Sequence, residues 1–210
     1  MIQIQALKVG LMMANCYIIY DDETLESLVV DPGGNPETIE EFVNNRNLKV
    51  QKILLTHGHG DHIGGVKGLA EALDVPVWVH EDDRELMESA EKNLSIMLHL
   101  GEITYDANVY FNEKTNLEFA GRRVKIIHTP GHTEGSSSFL IEKDLFVGDT
   151  LFFRSVGRTD LYAGNLEKLE NSIKNKIYSL EEDVVIYPGH GPKTNVKDEK
   201  EQNRYVKFEG

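Results

Sequence analysis

A mixed α/β domain is the fold this sequence predicts. Short apolar runs with the period-2 alternation of strands recur along the chain, bounded by Gly, Pro and Asp turns. Between them lie stretches whose apolar residues fall at helical spacing. With 210 residues, 40% hydrophobic content and 18 glycines, the chain can build one sizeable core with many turns. No repeat, low-complexity segment or linker divides it, so residues 1–210 are expected to form a single domain.

In chain order, Ile2 to Val9 alternates like a strand, and Asn15 to Tyr20 and Ser27 to Val30 add two more around an Asp21-Asp22-Glu23 turn. Asp31-Pro32-Gly33-Gly34 ends the third. Pro36 to Asn45 is predicted helical, with Ile39 and Phe42-Val43 on one face. Val50 to Leu55 is a buried strand, and Gly64 to Leu73 has helical spacing at Val66, Leu69, Ala70 and Leu73. Val75 to His80 is the next strand. Glu81 to Asn93 is expected to be a helix whose acidic residues form a solvated face. Leu94 to Asp106 reads either as a loop over a site or as a packed connection.

The second half predicts strands at Val109 to Phe111, Asn116 to Phe119, Arg123 to His128, Ser137 to Ile141, Leu145 to Val147 and Val184 to Tyr187. Leu166 to Leu180 reads as one amphipathic helix, with Leu166, Leu169, Ile173, Ile177 and Leu180 on its apolar face. The charged tail from Thr194 onward is expected to be helical.

Composition narrows the function classes. A net charge of −13 disfavours nucleic acid, whose binding leans on Lys and Arg against phosphates. The single cysteine, Cys16, excludes an internal disulfide and fits a reducing compartment. It lies in an apolar segment and reads as a buried packing residue, not a nucleophile. The N-terminus has no signal pattern and no apolar run is long enough to cross a bilayer, so a cytoplasmic protein without membrane partners is expected.

The chemistry concentrates in Thr56-His57-Gly58-His59-Gly60-Asp61-His62-Ile63-Gly64-Gly65, directly after an apolar strand. Imidazole and carboxylate suit zinc, and also iron or manganese. Intervening glycines let the ligands converge on a small volume. His132, Asp149 and His190 likewise follow apolar β-like runs and abut glycines. Loops at strand ends can meet on one rim of a sheet. Asp31 reads either as a turn residue or as a carboxylate supporting a ligand loop from behind. His80 and His99 lack neighbouring ligands and read as ordinary packed or surface histidines. His128 lies beyond the Pro130-Gly131 turn from His132 and reads as structural.

These residues carry a resemblance. His57-x-His59-x-Asp61-His62, Gly131-His132-Thr133, Gly148-Asp149 and Pro188-Gly189-His190 resemble the signature of the metallo-β-lactamase superfamily. Gly148-Asp149-Thr150-Leu151-Phe152, Gly157-Arg158-Thr159-Asp160 and Pro188-Gly189-His190-Gly191-Pro192 resemble its glyoxalase II branch, the hydroxyacylglutathione hydrolases. The resemblance implies an αββα four-layer sandwich with two divalent ions on one edge, zinc first, with iron or manganese as alternatives. It implies that His57, His59 and His132 bind one ion and Asp61, His62 and His190 the other. Asp149 would bridge them, and Asp31 would be the structural aspartate beneath the ligand loop. The best-known β-lactamases place Cys where this chain has Asp149, which argues against antibiotic hydrolysis. Only 20 residues follow His190, so the helical glutathione-binding domain of longer glyoxalase II enzymes is not expected. The chain is similar instead to the short single-domain bacterial type, although Arg204 follows Asn203 where that group often has proline.

The implied reaction is hydrolysis of a small thioester such as S-lactoylglutathione by hydroxide held between the ions, with Asp149 and Asp61 as the catalytic carboxylates. Arg158 is either a clamp for an acidic substrate or one half of a structural salt bridge. A monomer or small homo-oligomer is expected. Two other classes share the signature or the ligands. One is a persulfide dioxygenase using a single iron. The other is a non-catalytic module with a structural metal, against which stands the usual Cys-rich, closed character of such sites. A tRNA-processing nuclease fits poorly with the acidic charge.

Overall fold

The alternation along one strand sets out the layers. In β2 (Ala14–Asp21), Tyr17 and Ile19 point one way and Cys16 and Ile18 the other, and all four are buried. A strand buried on both sides needs a cover on both faces. The computed structural model describes residues 1–208, and it supplies both covers.

The first sheet has the order β1 (Ile2–Val9), β2, β3 (Glu26–Val30), β4 (Lys49–Leu54), β5 (Val77–His80) and β6 (Val109–Phe111). Its first three strands pair antiparallel; β3 to β6 run parallel. A small ribbon of β7 (Glu118–Phe119) and β8 (Arg122–Arg123) leads to the second sheet. There β9 (Lys125–His128), β10 (Ser137–Ile141) and β11 (Asp144–Gly148) pair antiparallel. A hairpin of β12 (Leu151–Phe152) and β13 (Ser155–Val156) follows. Then β14 (Val185–Pro188) joins β11 in parallel, and β15 (Thr194–Asn195) forms the edge.

Tyr17, Ile19, Leu28, Val30 and Leu54 of the first sheet meet Ile126, Phe139, Ile141 and Phe146 of the second. The opposite face of the first sheet packs on α1 (Pro36–Asn45) and α3 (Val66–Leu73) through Ile39, Val43, Val66 and Leu69. The outer face of the second sheet packs on α5 (Leu166–Ser172) and α6 (Val196–Gln202) through Leu169 and Val196. The result is the expected αββα sandwich. Each fully buried Ile, Leu or Phe in these layers contributes roughly 1.5–3 kcal/mol. Cys16 lies in the first helix–sheet layer, where burial pushes its thiol well above the ordinary value and leaves it unreactive. Among the described residues no helix is long and apolar enough to cross a membrane.

The structure corrects several boundaries. Glu81 to Asn93 is not one helix: a 3₁₀ turn at Glu81–Asp83 and α4 (Arg84–Glu88) give way to turns. Nor is that segment simply a solvated acidic face, because Asp83 is fully buried. The Leu166–Leu180 pattern breaks after Ser172 into a π-helical turn, Ile173–Ile177. Leu166 is 55% exposed, because Asn165 caps α5 there and turns its first residue outward. Thr194–Asn195 pairs with β14 before α6 begins, so the tail opens as a strand. The β12–β13 hairpin was not predicted from the sequence.

Candidate metal centre

Strands β3, β4, β9, β11 and β14 all release their chains at one rim, and the predicted ligands lie just beyond those ends. After β4 the chain makes one helical turn, α2 (Gly60–Ile63), which carries Asp61 and His62 back over the rim. Asp31, after β3, braces this arrangement. Its backbone N–H donates to Leu54 O at 3.1 Å, and its carboxylate accepts from Thr56 N at 2.8 Å, Thr56 Oγ1 at 2.6 Å and His62 Nδ1 at 2.9 Å. Asp31 thus ties the first ligand loop to the neighbouring strand.

Two triads result. The candidate ligand atoms of His57, His59 and His132 lie within 4.8 Å of one another, as do those of Asp61, His62 and His190. Asp149 faces both groups. Its Oδ1 is 3.4 Å from His62 Nε2, and its Oδ2 is 3.6 Å from His132 Nε2 and 3.8 Å from His190 Nε2. Hydrogen bonds from behind assign the imidazole protons. His62 Nδ1 donates to Asp31 and His132 Nδ1 donates to the Arg158 carbonyl at 2.7 Å, so His132 Nε2 carries a lone pair toward the rim, and His62 Nε2 does once a cation takes the place of its proton. His57 Nδ1 donates to Thr56 Oγ1 at 3.0 Å, with the same consequence. On the other side, His190 Nε2 lies 3.1 Å from Asp61 Oδ2.

The donor set fits a divalent metal. His57 Nε2, His62 Nε2 and Asp149 Oδ1 are buried without a hydrogen-bond partner, an expensive arrangement unless a cation completes it. Burial pushes His57 down and His59 down to about 3, which keeps both rings neutral and able to ligate. Burial also works against charge on His62, but Asp149, Asp61 and Asp31 around it outweigh this and raise its pKa well above the ordinary value. Burial likewise opposes ionisation of Asp149, and the facing His62 charge overcomes it, holding that carboxyl far below its usual range. The centre attracts positive charge.

Asp83 was missed in the sequence. Its Oδ2 accepts from Gly58 N at 2.9 Å and Thr133 Oγ1 at 2.9 Å, and its Oδ1 accepts from Gly135 N at 2.7 Å. One buried carboxylate therefore joins the loop holding His57 and His59 to the loop holding His132. Its position just beyond the end of β5 is the same strand-end signal that marks the ligands, but two adjacent acids mask it.

The remaining predicted residues fall as follows. Arg158 closes its guanidinium on Asp160 at 2.8 and 2.9 Å, while its carbonyl serves His132. Residues 94–106 combine both sequence readings: Ser95 is buried against α2, and Leu94, Met97 and Leu98 line the rim cleft. His80 and His128, read separately in the sequence, stack with ring centroids 4.1 Å apart and planes at 11° beside Asp82. Lone pairs of near-parallel rings do not converge on one ion. His128 Nε2 is also engaged by Glu134 O at 2.7 Å, and His80 Nδ1 by Asp82 N at 3.2 Å.

The rim opens into a cleft of about 370 Å³, floored by His59, Asp61, His132, Asp149 and His190. A larger cleft of about 810 Å³ lies against α6, and none of the candidate ligands line it.

Comparison with known proteins follows the same lines. Residues 9–190 match the model of the metallo-beta-lactamase superfamily. The chain is 36% identical to a probable metallo-hydrolase, YqgX, of Bacillus subtilis, over 95% of both chains. It is 34% identical to the hydroxyacylglutathione hydrolase GloC of Haemophilus influenzae, over 97% of both. Among solved structures, the BLEG-1 B3 metallo-beta-lactamase superposes with a TM-score of 0.92 at 33% identity, covering 97% of this chain and 99% of that one. TTHA1623 in a di-iron-bound form superposes at 0.86 with 31% identity, covering 96% and 100%. Matches of this extent, on a rim built from metal-ligating side chains, mean that the chain belongs to the metallo-beta-lactamase superfamily of metallo-hydrolases.

Proposed function

We propose that this chain hydrolyses thioesters at a pair of divalent ions. The observation that carries the reading is the convergence of two ligand triads on one carboxylate, Asp149, at the floor of an open cleft. In this reading His57, His59 and His132 hold one ion, Asp61, His62 and His190 hold the other, and Asp149 stands between them. Zinc suits these donors, with iron or manganese as alternatives. When bound, such a pair supplies Lewis-acid polarisation of a carbonyl and lowers the pKa of water to about 7.

The chain's own groups do the rest. Asp31 and the Arg158 carbonyl keep the protons of His62 and His132 on Nδ1. Asp61 lines the cleft and is placed to orient the attacking water and take its proton. The water oxygen bonds to the acyl carbon, the C–S bond breaks, and the electron pair leaves on sulfur. Thiol pKa values near 8.5 allow departure as thiolate, so no general acid is needed. That agrees with a cleft whose histidines all belong to the triads. A relative named hydroxyacylglutathione hydrolase and a similar structure described as di-iron-bound support the reading.

The test loads metal-free protein separately with zinc and with ferrous iron. Zinc-dependent cleavage of thioesters, about two ions per chain, and no oxygen uptake by the iron form with glutathione persulfide are the expected results. Rapid oxygen uptake by the iron form, with the zinc form inert on every thioester, would make the chain a persulfide dioxygenase instead. Because one similar structure is named a B3 metallo-beta-lactamase, a β-lactam belongs in the same assay.

A second expectation concerns Gly189. A Cβ there would sit 2.1 Å from Asp149 Oδ1 and 2.7 Å from His62 Cε1. Gly189→Ala must therefore displace the shared carboxylate by about 1 Å, and a shift of that size costs about 10²-fold in rate. Steady-state kcat/KM should fall by that factor; an unchanged value would remove Asp149 from the reaction.

A further inference from the structure

The walls of the rim cleft differ sharply from its floor. Its apolar lining includes Met12, Met97, Leu98, Phe152, Val156 and Leu161. Apart from the candidate ligands, the only polar side chains lining it are Ser155 and Arg158. Arg158 is the only Lys or Arg among them, and both arms of its fork are closed on Asp160. The apolar character continues past the mouth. Leu11, Met12 and Met13 at the tip of the β1–β2 hairpin are 75%, 45% and 57% exposed, and Ile96 and Met97 are 45% and 55% exposed. Exposed methionines and leucines concentrated at a site's entrance mark a surface shaped for an apolar ligand.

This bears on substrate class. The lactoyl group of S-lactoylglutathione carries a hydroxyl, and a hydroxyl buried against apolar walls without a partner is costly. An aliphatic chain needs no such partner and gains with each methylene it buries. The thiol leaves with negative charge and departs most readily toward water, which places it at the mouth and the acyl group against the walls.

We infer, resting on the thioesterase reading above, that the substrate is a thioester of a medium-chain aliphatic acid, its acyl chain seated against Met97, Leu98, Phe152 and Val156. Remote apolar contacts of this kind raise kcat/KM when they persist in the transition state.

The experiment uses zinc-loaded full-length protein and thioesters of one small neutral thiol, N-acetylcysteamine, from acetyl to octanoyl. In parallel, calorimetry measures binding of the matching non-hydrolysable S-alkyl thioethers. Both kcat/KM and affinity should rise roughly fourfold per methylene until the cleft is filled. Replacing Met12 and Met97 together by Gln should at least halve that increment, and both side chains are exposed enough for the fold to tolerate it. Octanoyl thioester should also exceed S-lactoylglutathione. Cleavage of the acetyl compound with no gain along the series, or a preference of tenfold or more for S-lactoylglutathione, overturns the inference and leaves the thioesterase standing. Binding that rises with chain length while no thioester is cleaved keeps the apolar acyl site and removes the thioesterase.

Discussion

Replacing Asp149 with Ala is expected to abolish stable binding of both ions and to lower thioester cleavage by about 10³-fold or more. The reason is geometric. One carboxylate faces His62 through Oδ1, at 3.4 Å, and His132 and His190 through Oδ2, at 3.6 and 3.8 Å. Asp31 also neighbours one member of each triad, His57 and His62, but its carboxylate is taken up by Thr56 and His62 Nδ1. The negative charge of Asp149 also counts, because the facing His62 holds this buried carboxyl ionised against the cost of burial. Loss of an outlying ligand such as His190, which is 29% exposed, should by comparison weaken mainly one ion. The measurement is metal content by elemental analysis after dialysis against a weak chelator, set beside kcat/KM. An Asp149→Ala protein that keeps one ion at full occupancy and a tenth of the activity would show two independent sites, not one shared centre. Asp149→Asn separates shape from charge. If it restores metal content only in part, the missing charge is responsible.

The sequence discloses this centre well because ligand chemistry is local. His57, His59, His132, Asp149 and His190 each follow an apolar β-like run and abut a glycine, so side-chain type, strand end and turn coincide within a few residues. The αββα layering came from the family resemblance, and the structure shows its local basis: Tyr17 and Ile19 against Cys16 and Ile18 leave β2 covered on both faces. What could not be read depends on distant partners. The β12–β13 hairpin is held by Glu199, whose carboxylate accepts from Arg154 N at 3.0 and 3.1 Å across 45 residues of sequence. Nothing in Phe152-Phe153-Arg154-Ser155 announces that contact. The apolar period of Leu166 to Leu180 conceals a switch from α to π spacing, since both place Leu169, Ile173 and Ile177 on the buried face. Arg158 was legible as a charged residue near the site, but its pairing with Asp160 was only one of two readings the residues allowed.

Asp83 is the clearest case of a distant role, and it yields the second large effect. Its three donors, Gly58 N, Thr133 Oγ1 and Gly135 N, lie 25, 50 and 52 residues away in sequence. Asp83→Ala leaves Gly58 N and Gly135 N without an acceptor, at about 1–3 kcal/mol each, while the Thr133 hydroxyl can turn to Ser136 Oγ 2.8 Å away. Part of that loss is offset. Burial pushes the Asp83 carboxyl from 3.8 up to about 6, against the pull of its three donors, so removing it recovers about 3 kcal/mol. The net expectation is a stability loss of about 1 kcal/mol. Metal affinity of the His57–His59–His132 triad should fall about 10- to 100-fold, because the two loops that present it are no longer joined. The pH dependence has a definite sign. The folded pKa lies above the unfolded one, so the folded state takes up the proton first as pH falls. Through Asp83 alone, stability therefore rises as pH drops from about 6 toward about 4, and the cost of the buried charge is fully present above that window. Asp83→Asn cannot titrate. In chelator, urea denaturation at pH 7 and pH 5 should show wild type gaining about 1 kcal/mol relative to Asp83→Asn from the higher pH to the lower. A gap that stays constant across that range would mean that Asp83 does not titrate there. Unaltered metal affinity in Asp83→Ala would mean that the loops hold their geometry without it.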